Sequence, residues 1–466
     1  MAPEAAATIT LTVPGDKSIG HRVLMFSALM PGEHHLHGLP QGADVRSTRT
    51  VLEALGCHSR IIPENDALHW IVPERWTPPV HPLDCGNSGT TMRLMSGLLA
   101  GQQIPATLVG DASLSGRPMA RVLDPLRHMG AQASGIDTHG KETAPLTLTE
   151  TPKPLQGLTY TLPVASAQVK SALLLAGCFA QGETAIIEPI PTRDHTERLL
   201  RWLCPSFQST PHPDGGWVHT VTGQLQNHPF RRPKEAPPEG PLDWHVPGDP
   251  SSAAFWAVLA LGGFQPAGQN PADTPQTVRI PNVLINPTRI GLIKALQAFG
   301  ADIQFDNPRT WQGEPVADWV ITPTQLSGDV TLHEAEIPAL IDELPILAVA
   351  ACFAKGTLTV TGAEELRHKE SDRLAAIVSV LGGLGANITE TPDGFVIRGN
   401  PTWQPTTPTV ALPTYHDHRL VMSWLVLNAR VAGAAMITHP WPIADTHWAD
   451  VSFPGFLTQL HGCFSE

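Results

Sequence analysis

The chain has 466 residues, of which 42% are hydrophobic and 16% are charged, and its formal net charge at pH 7 is −13. This acidic balance argues against nucleic acid or an anionic membrane as the main partner. The length is enough for about two to four domains. Of the 30 cationic residues 22 are arginine, and several lie inside short motifs instead of surface runs, which favours a small anionic substrate.

The cysteines and the chain start indicate the cellular setting. Six cysteines show no C-x-x-C pair and no regular spacing, which predicts buried thiols in a reducing compartment, neither a zinc site nor a disulfide framework. The start, "MAPEAAATITLTVPG", lacks the basic and apolar regions of a secretory signal. No apolar run reaches the length of a membrane span. We therefore expect a cytoplasmic protein.

The first motif in the chain, "VPGDKSIGHR", has the residue types of a phosphate-binding loop but not its spacing. A P-loop needs a lysine directly after its second glycine, whereas Asp16 separates Gly15 from Lys17. If the following residues form a helix, Lys17 and Ser18 lie in its first turn, where free N–H groups and the helix dipole favour an anion. A plain helix cap with two surface cations, Lys17 and Arg22, explains the motif equally well.

Two motifs follow that combine turns with cations. "LDCGNSGTTMR" predicts a turn that opens a helix, where backbone N–H groups and Asn87 could donate to a carboxylate or phosphate. An N-capped core helix is the better interpretation of that motif taken alone. "GDASLSGRPMARVL" carries Arg117 directly before Pro118, and the fixed proline backbone favours one direction for the arginine.

The motifs "ASAQVKSALLLAG" and "PTRDHTERL" each precede or open a helix. Ser166 and Gln168 lie at the start of an apolar helix, where uncharged groups suit the hydroxyls of a ligand, although Ser166 could equally be an N-cap. Arg193 lies just before the second helix. Asp194 and His195 are not expected to bind a metal together, because adjacent side chains on a helix diverge.

The motifs "DELPILAVAA" and "EELRHKESDRL" carry the strongest chemistry of the second half. On a helix, Lys369 and Arg373 would share a face, where two like charges repel unless an anion lies between them. Glu370 beside them is a candidate acid or base. Asp342 opens the first of these motifs, and Arg419 lies at a predicted helix start in "YHDHRLVM".

Two histidine groups are predicted to be structural. His416 and His418 lack a third ligand at a suitable spacing, so polar capping of a helix is the preferred interpretation. The run "HHLH" at residues 34–37 is predicted to be a solvated strand edge.

A helix followed by a hairpin recurs six times along the chain. Glycine at a helix end predicts a left-handed cap, and the fifth copy predicts a hairpin turn at Pro392 to Gly394. The helices end at or near Gly56, Gly130, Cys204, Gly300, Gly385 and Gly462. Units this small could stack as one solenoid or form two groups of three. Two groups are favoured, because the motifs must converge, and the proline-rich loop 231–244 predicts the boundary.

The motifs together resemble the 5-enolpyruvylshikimate-3-phosphate synthase family. "PGDKSIGHR", "GNSGTTMR", "GDASLSGRPM", "ASAQVKSALLLAG", "TRDHTER", "VPGDPSSAAF", "DELPILAVAA", "LRHKESDRL" and "DHRLVMS" occur in its order, from Pro14 to about Pro454. In detail they are most similar to the bacterial class that includes glyphosate-tolerant members. The resemblance implies an α/β fold of two similar domains, each with three βαβαββ units in an inverse α/β barrel-like arrangement, and an active site in the interdomain cleft. Its domains would be residues 1–16 plus 246–466, and residues 17–245.

The resemblance also implies an activity and its residues. The enolpyruvyl group of phosphoenolpyruvate would pass to the 5-hydroxyl of shikimate 3-phosphate, with no metal or cofactor, in a monomer. Binding of shikimate 3-phosphate is implied for Lys17, Ser18, Arg22, Ser166, Ala167, Gln168, Arg193, Asp342 and Lys369. Binding of phosphoenolpyruvate is implied for Lys17, Gly89, Arg117, Gln168, Arg373 and Arg419. Proton transfer is implied for Asp342, Glu370, Lys17 and Lys369.

Three positions depart from the patterns of the family or bear on inhibition by glyphosate. Val451 stands where many relatives have a lysine, so one cation on the phosphoenolpyruvate side is missing or supplied elsewhere. Gly89 leaves room for glyphosate and predicts inhibition, whereas Leu94 replaces a proline of sensitive enteric-type enzymes and points the other way. The alternatives are a sibling transferase acting on UDP-N-acetylglucosamine, which should carry a loop cysteine near Arg117, and a non-catalytic binding protein, which should have lost the acid–base residues.

Overall fold

The computed structural model describes residues 8–62, 67–223, 229–263, 276–433, 435–438 and 440–464. The strands are β1 (Thr8–Thr10), β2 (Gly32–His37), β3 (His58–Ile62), β4 (Ala67–Val72), β5 (Leu83–Asp84), β6 (Ala106–Val109), β7 (Gln132–Thr138), β8 (Lys141–Thr149), β9 (Thr159–Thr161), β10 (Glu183–Glu188), β11 (Gln208–Pro211), β12 (Trp217–Thr222), β13 (Leu242–His245), β14 (Thr277–Leu284), β15 (Asp302–Trp311), β16 (Glu314–Thr322), β17 (Val330–Leu332), β18 (Thr357–Val360), β19 (Asn387–Thr391) and β20 (Gly394–Arg398).

The helices alternate with these strands along the chain. They are α1 (Lys17–Ser27), α2 (Ala43–Ala54), α3 (Gly89–Gly101), α4 (Ala112–Ser115), α5 (Ala120–His128), α6 (Ala167–Gly177), α7 (His195–Leu203), α8 (Pro250–Leu261), α9 (Gly291–Ala298), α10 (Leu344–Cys352), α11 (Arg373–Gly383), α12 (His418–Ala432), α13 (Ala435–Thr438) and α14 (Phe456–Gly462). Short 3-10 turns lie at Ile337–Ala339, Ile341–Glu343, Glu364–His368 and Thr446–Val451. Within the described part of the chain, no helix is both long enough and apolar enough to cross a membrane.

The chain divides into two compact units. The N-terminal unit comprises residues 15–247 with 310–314, and the C-terminal unit comprises residues 1–14, 248–309 and 315–466. In the N-terminal unit the three sheets have the strand orders β13-β2-β4-β3, β5-β6-β8-β7 and β9-β10-β12-β11. Each sheet has a parallel edge strand, a central strand and an antiparallel hairpin, which is the βαβαββ pattern once the helices are included.

The C-terminal unit repeats the same sheet order twice. Its sheets are β1-β14-β16-β15 and β17-β18-β20-β19. The β19–β20 hairpin pairs Thr391 with Gly394 around the predicted turn. The sixth repeat is reduced: a single parallel bridge joins Leu412 to Ile443 on either side of α12, and no hairpin follows α14 in the described residues. The predicted α/β class is confirmed, with this one shortened unit.

Each unit takes one edge strand from a part of the chain distant from the rest of that sheet. β1 precedes α1 but pairs with β14, and β13 precedes α8 but pairs with β2. The chain therefore passes from one unit to the other after Pro14 and back after Pro247. At Gly15 a Cβ atom would lie 2.0 Å from the carbonyl oxygen of Gly38, so only glycine fits the first of these passages.

The central helices are buried and apolar on every side. All residues of α8 and α10 are buried, and α8 packs against α12 in the C-terminal unit. The ring of Trp256 on α8 stacks on Phe456, with the ring centroids 4.9 Å apart. Each such large apolar side chain contributes about 1.5–3 kcal/mol. Because the middle turns of these helices are buried among apolar side chains, a polar ligand can reach only the residues at the helix starts.

Two details differ from the sequence predictions. The run "HHLH" lies on β2, which is hydrogen-bonded on both sides, so it is not a strand edge, and His34 is buried. The predicted left-handed glycine caps occur at Gly56, Gly130, Gly300 and Gly385, with φ of 106°, 102°, 84° and 89°, but Gly462 is still inside α14. All six cysteines are buried and free, as expected.

Candidate functional site

The first turn of α1 explains the odd aspartate in "PGDKS". Asp16 is the buried N-cap, and its carboxylate accepts the N–H of Ile19 at 2.9 Å, which satisfies one of the open helix-start donors. Lys17 and Ser18 lie in the first turn, as the sequence predicts. The Nζ of Lys17 lies 3.0 Å from a carboxylate oxygen of Asp44, and half of the lysine side chain is exposed.

Arg22 is buried one turn further along α1. Its Nε donates to Thr196 Oγ1 at 2.7 Å, its Nη2 donates to Ser171 Oγ at 3.0 Å, and its Nη1 donates to the carbonyl of Ser18 at 2.9 Å. Burial lowers the pKa of Arg22 to about 10, against the opposing influence of Glu197. The guanidinium is therefore charged at neutral pH and held in one orientation.

Two arginines converge on the start of α3. A Cβ atom at Gly89 would lie 2.8 Å from Arg93 Nη1 and 3.3 Å from Arg117 Nη1. Burial lowers the pKa of Arg93 to about 10, and the charges of Arg117 and Arg121 act in the same direction. Like charges repel at this range unless an anion lies with them. The space beside Gly89 is thus suited to an anionic group.

Two successive hydrogen bonds hold Arg117. Its Nη2 donates to Asn87 Oδ1 at 2.8 Å, and the Asn87 amide donates in turn to Asp111 at 2.7 Å. The Asn87 amide thus connects the arginine to the aspartate, and its donation to a ligand stays a prediction. The hydrogen bond to Asn87, and not only the neighbouring Pro118, therefore orients Arg117.

The start of α6 joins this group. Ser166 is the N-cap and accepts the N–H of Val169 at 3.3 Å, so the capping alternative is correct, and its hydroxyl proton can still be donated. Gln168 accepts from Arg93 at 2.6 Å and donates to Thr90 at 2.9 Å. Ala167 is the first residue of α6. The structure thus brings the starts of α1, α3 and α6 together.

Arg193 lies half-buried in the turn before α7. Its charge contributes to the lowered pKa of Arg22, which places the two guanidinium groups near each other. His195 Nδ1 lies 2.7 Å from Glu314, and both side chains are buried.

In the C-terminal unit, Arg373 is the centre of a carboxylate cluster. The side chain is buried, and its Nε lies 2.7 Å from Asp417, its Nη2 lies 2.7 Å from Glu370, and its Nη1 lies 3.3 Å from Asp342. These carboxylates raise the pKa of Arg373 against the opposing effect of burial, which is the largest single influence. The two candidate proton-transfer carboxylates therefore share one cation.

The predicted helical pair of Lys369 and Arg373 does not exist. Lys369 follows the 3-10 turn Glu364–His368, while α11 begins only at Arg373. Lys369 pairs with Glu365 at 2.9 Å. Because the two residues do not lie on one helix, their spacing in the chain is no argument for an anion between them.

Arg419 lies in the first turn of α12. Its backbone N–H donates to the N-cap Asp417 at 2.9 Å, and its Nη1 donates to the carbonyl of Ser251 at 3.2 Å. Glu343 contacts the Ser251 hydroxyl, and burial raises the pKa of this carboxyl. Ser251 in the first turn of α8 thus binds both Arg419 and Glu343, the residue that follows Asp342.

Sequence reasoning missed Arg93 and Asp417 as individual site residues. Arg93 ends the quoted motif "GNSGTTMR", and its spacing of one turn from Gly89 was an available signal. Asp417 precedes Arg419 in "DHRLVMS", where an aspartate before a helix start is a capping signal. Its pairing with Arg373, 44 positions away in the chain, could not be read from spacing.

Comparison with known proteins identifies the family. The sequence model described as EPSP synthase (3-phosphoshikimate 1-carboxyvinyltransferase) matches residues 2–460. The chain is 42% identical over 462 residues to the 3-phosphoshikimate 1-carboxyvinyltransferase of Alkalilimnicola ehrlichii, covering 98% of this chain and 93% of that protein. It is 43% identical over 454 residues to the enzyme of that name from Thermus thermophilus, covering 97% and 95%. The chain belongs to the EPSP synthase family.

Solved structures agree with this assignment. An EPSP synthase from Acinetobacter baumannii matches with a TM-score of 0.80 at 37% identity, covering 98% of this chain and 95% of that one. The enolpyruvyl transferase NikO from Streptomyces tendae matches with a TM-score of 0.70 at 15% identity, which shows a shared fold only.

Proposed function

We propose that the protein transfers the enolpyruvyl group of phosphoenolpyruvate to the 5-hydroxyl of shikimate 3-phosphate and releases phosphate. Membership of the EPSP synthase family over residues 2–460 supports this activity. The observation that carries it in this chain is the pair Arg93 and Arg117 at Gly89, two cations directed at one small space. A substrate with a phosphate and a carboxylate supplies the missing negative charge.

In the proposed arrangement the N-terminal unit binds most of the two anions. Ser18, Arg22, Ser166, Ala167, Gln168 and Arg193 hold shikimate 3-phosphate, and Lys17, Gly89, Arg117 and Gln168 hold phosphoenolpyruvate. Arg93 is added to the second set on the strength of its position beside Arg117. Because the helix-start N–H groups and the cations are already oriented, they stabilise the anions at little reorganisation cost.

The C-terminal unit supplies the proton transfers in this proposal, with Arg373 and Arg419 as further phosphoenolpyruvate ligands. Glu370, with Lys17 as a second candidate, gives a proton to the methylene carbon of phosphoenolpyruvate. Asp342 or Lys369 takes the proton of the 5-hydroxyl, whose oxygen then bonds to the adjacent carbon. In the elimination the new methyl group gives one proton back to the group that supplied it. The carbon–oxygen bond to phosphate then breaks, phosphate leaves, and the enol ether remains.

Substrate binding must rearrange the Arg373 cluster for these roles. Arg373 contacts Asp342, Glu370 and Asp417. We propose that phosphoenolpyruvate displaces the first two carboxylates, whereas Asp417 stays bound. The exposed Val451, with 46% of its surface accessible, replaces the lysine of many relatives, and Arg93 compensates for the missing charge. We further propose that the protein works as a cytoplasmic monomer, and the six buried free thiols support a reducing compartment.

Phosphate release by the purified protein tests the activity. With shikimate 3-phosphate plus phosphoenolpyruvate we expect steady turnover, and with UDP-N-acetylglucosamine as the acceptor we expect none. Omitting either substrate is the control for phosphate contamination. Release with the nucleotide sugar alone would reassign the chain to the sibling reaction, and release with neither acceptor would contradict the proposal.

We propose that glyphosate inhibits the enzyme and that Gly89 sets its sensitivity, although the motifs resemble a class with tolerant members. In Gly89→Ala the new Cβ atom would crowd Arg93 Nη1 at 2.8 Å. Because this guanidinium is the end of a flexible side chain, it can shift away from the methyl group, and we expect inhibition to weaken about fivefold or more, which corresponds to about 1 kcal/mol. Inhibition curves and the KM for phosphoenolpyruvate measure the effect. Gly383→Ala is the control, because no atom lies within 4 Å of its Cβ position; equal inhibition of Gly89→Ala and the wild type would contradict the assignment.

A further inference from the structure

A group of charged side chains is buried inside the N-terminal unit, next in the chain to the residues of α6 and α7 that bind Arg22. Lys170 Nζ lies 2.7 Å from Glu188 and in ion-pair contact with Glu197, and all three side chains are at most 2% exposed. His219 lies 3.2 Å from Glu188 and completes what we name the Lys170 cluster: Lys170, Glu188, Glu197 and His219. Buried charges are costly unless they are paired and hydrogen-bonded, as these are.

The Lys170 cluster is not a metal site. Glu188, Glu197 and His219 offer ligand atoms within 4.8 Å of one another, the one such group of three in the described residues. The ammonium of Lys170 already contacts both carboxylates. A cation bound by the same oxygens would have to displace a fully buried lysine. The lysine itself therefore fills the cation position.

The cluster and the bonds of Arg22 join the same two helices at successive residues. Lys170 and Ser171 lie on α6, and Thr196 and Glu197 lie on α7. Ser171 Oγ and Thr196 Oγ1 are 2.7 Å apart, and both accept from Arg22. Adjacent residues on a helix point in different directions, so the ion pair and the hydroxyl pair together fix both the rotation and the register of α6 against α7.

The same cluster holds the turn that carries Arg193. The backbone N–H of Thr192 donates to Glu188 at 3.0 Å, and its hydroxyl donates to the same oxygen. Hydrogen bonds from His219 and Lys170 bring the pKa of Glu188 to about 2 against its burial. Glu188 is therefore an ionised acceptor that joins α6, β12 and the turn before α7.

The second carboxylate of the cluster also acts on Arg22. Lys170 has two carboxylates as partners, so the lysine and the two glutamates together carry one excess negative charge. Glu197 is the group that most opposes the lowering of the Arg22 pKa by burial. The second carboxylate is thus the counter-charge of Arg22, which keeps its guanidinium ionised in a buried position.

We propose that the Lys170 cluster is the positioning element of the shikimate 3-phosphate site, fixing Arg22 through Ser171 and Thr196, and Arg193 through Thr192. This inference rests on the proposed function, in which those two arginines bind that substrate. Lys170 touches no substrate and acts through the side chains it orients. Affinity for shikimate 3-phosphate, separate from that for phosphoenolpyruvate, is its expected readout.

Thr196→Val tests the link to Arg22 with little change in shape. We expect the KM for shikimate 3-phosphate to rise about tenfold or more, while the KM for phosphoenolpyruvate stays within about threefold. Thr184→Val is the matched control, a fully buried threonine on β10 whose hydroxyl has no hydrogen-bond partner in the described residues. A wild-type KM for shikimate 3-phosphate in Thr196→Val would overturn the proposal.

Lys170→Met and the double variant Lys170→Met/Glu197→Gln separate positioning from stability. The single variant leaves an unpaired carboxylate, and we expect lower thermal stability and weaker shikimate 3-phosphate binding by calorimetry. The double variant removes one charge of each sign, so stability should recover while binding stays weak. If the double variant recovered wild-type binding, the cluster would need only a balanced charge and would not position the arginines, which would overturn the proposal. If wild type itself turns over neither acceptor, the proposed function fails; if wild type is active and the variants bind normally, this inference alone fails.

Discussion

Replacing Glu370 by glutamine should lower kcat by about two to four powers of ten, the usual contribution of an acid–base group. The substitution keeps the shape of the side chain but removes the proton that we assign to the methylene carbon of phosphoenolpyruvate. Glu370 Oε2 is 2.7 Å from Arg373 Nη2, and half of the side chain is exposed, so fold stability should change little. Phosphate release at saturating levels of both substrates measures the loss.

Glu364→Gln is the control for this experiment. Glu364 is exposed and lies in the 3-10 turn that precedes Lys369, and its variant should keep kcat within about twofold, as for most surface changes. If Glu370→Gln retained wild-type kcat, the proton would have to come from another group, and Lys17 would be tested next.

Asp417→Asn should be the most damaging change to stability in the C-terminal unit. Asp417 is fully buried, pairs with Arg373 through both oxygens and accepts from Ser371. Asparagine can still cap α12, but it leaves the guanidinium without its main counter-charge. Breaking a buried pair costs about 3–5 kcal/mol. Urea denaturation followed by tryptophan fluorescence reports it, since Trp424 is buried on α12.

The effect of Asp417→Asn should depend on pH in a defined direction. Burial raises the pKa of Asp417, but the charge and hydrogen bonds of Arg373 outweigh it, so the folded pKa lies below the usual value. The carboxylate therefore stabilises the fold fully above the unfolded value of about 3.9, and this contribution is lost as the pH falls through the folded pKa. The gap between wild type and variant should shrink below about pH 4.

Asp372→Asn is the matched control, because Asp372 caps α11 by accepting from Ala375 but is exposed. Its loss should cost at most about 1 kcal/mol, as for a surface ion pair. Equal destabilisation by the two asparagine variants would mean that the buried pair of Asp417 with Arg373 contributes no more than the exposed ion pair of Asp372. The KM for phosphoenolpyruvate should rise only in Asp417→Asn, because Arg373 would lose its fixed orientation.

The sequence predicted those site residues whose position depends on local helix and turn geometry. Helix starts have capping residues at fixed positions, so Lys17, Gln168 and Arg419 could be placed in first turns from spacing alone. The hairpin turn before Gly394 followed from turn chemistry in the same way. Each of these features depends on residues within about five positions of one another.

Features that depend on distant residues were not predictable. The three carboxylates around Arg373 come from separate segments of the chain. Lys170 looked like one polar residue in an apolar helix, and its partners lie 18 and 27 positions later. The helical pairing of Lys369 with Arg373 failed because a 3-10 turn ends before the helix begins. Periodicity cannot reveal such a break in one short motif.

The exchange of β1 and β13 has a consequence for synthesis on the ribosome. β2 needs β13 as its parallel neighbour, so the first sheet of the N-terminal unit stays incomplete until His245 has been translated. β1 is made first but waits for β14, since Thr8 pairs with Thr277. Closing such long loops slows folding. The nascent chain must therefore carry an unpaired edge strand through more than half of its translation. This favours an early folding nucleus in the first two sheets built from consecutive strands, β5–β8 and β9–β12.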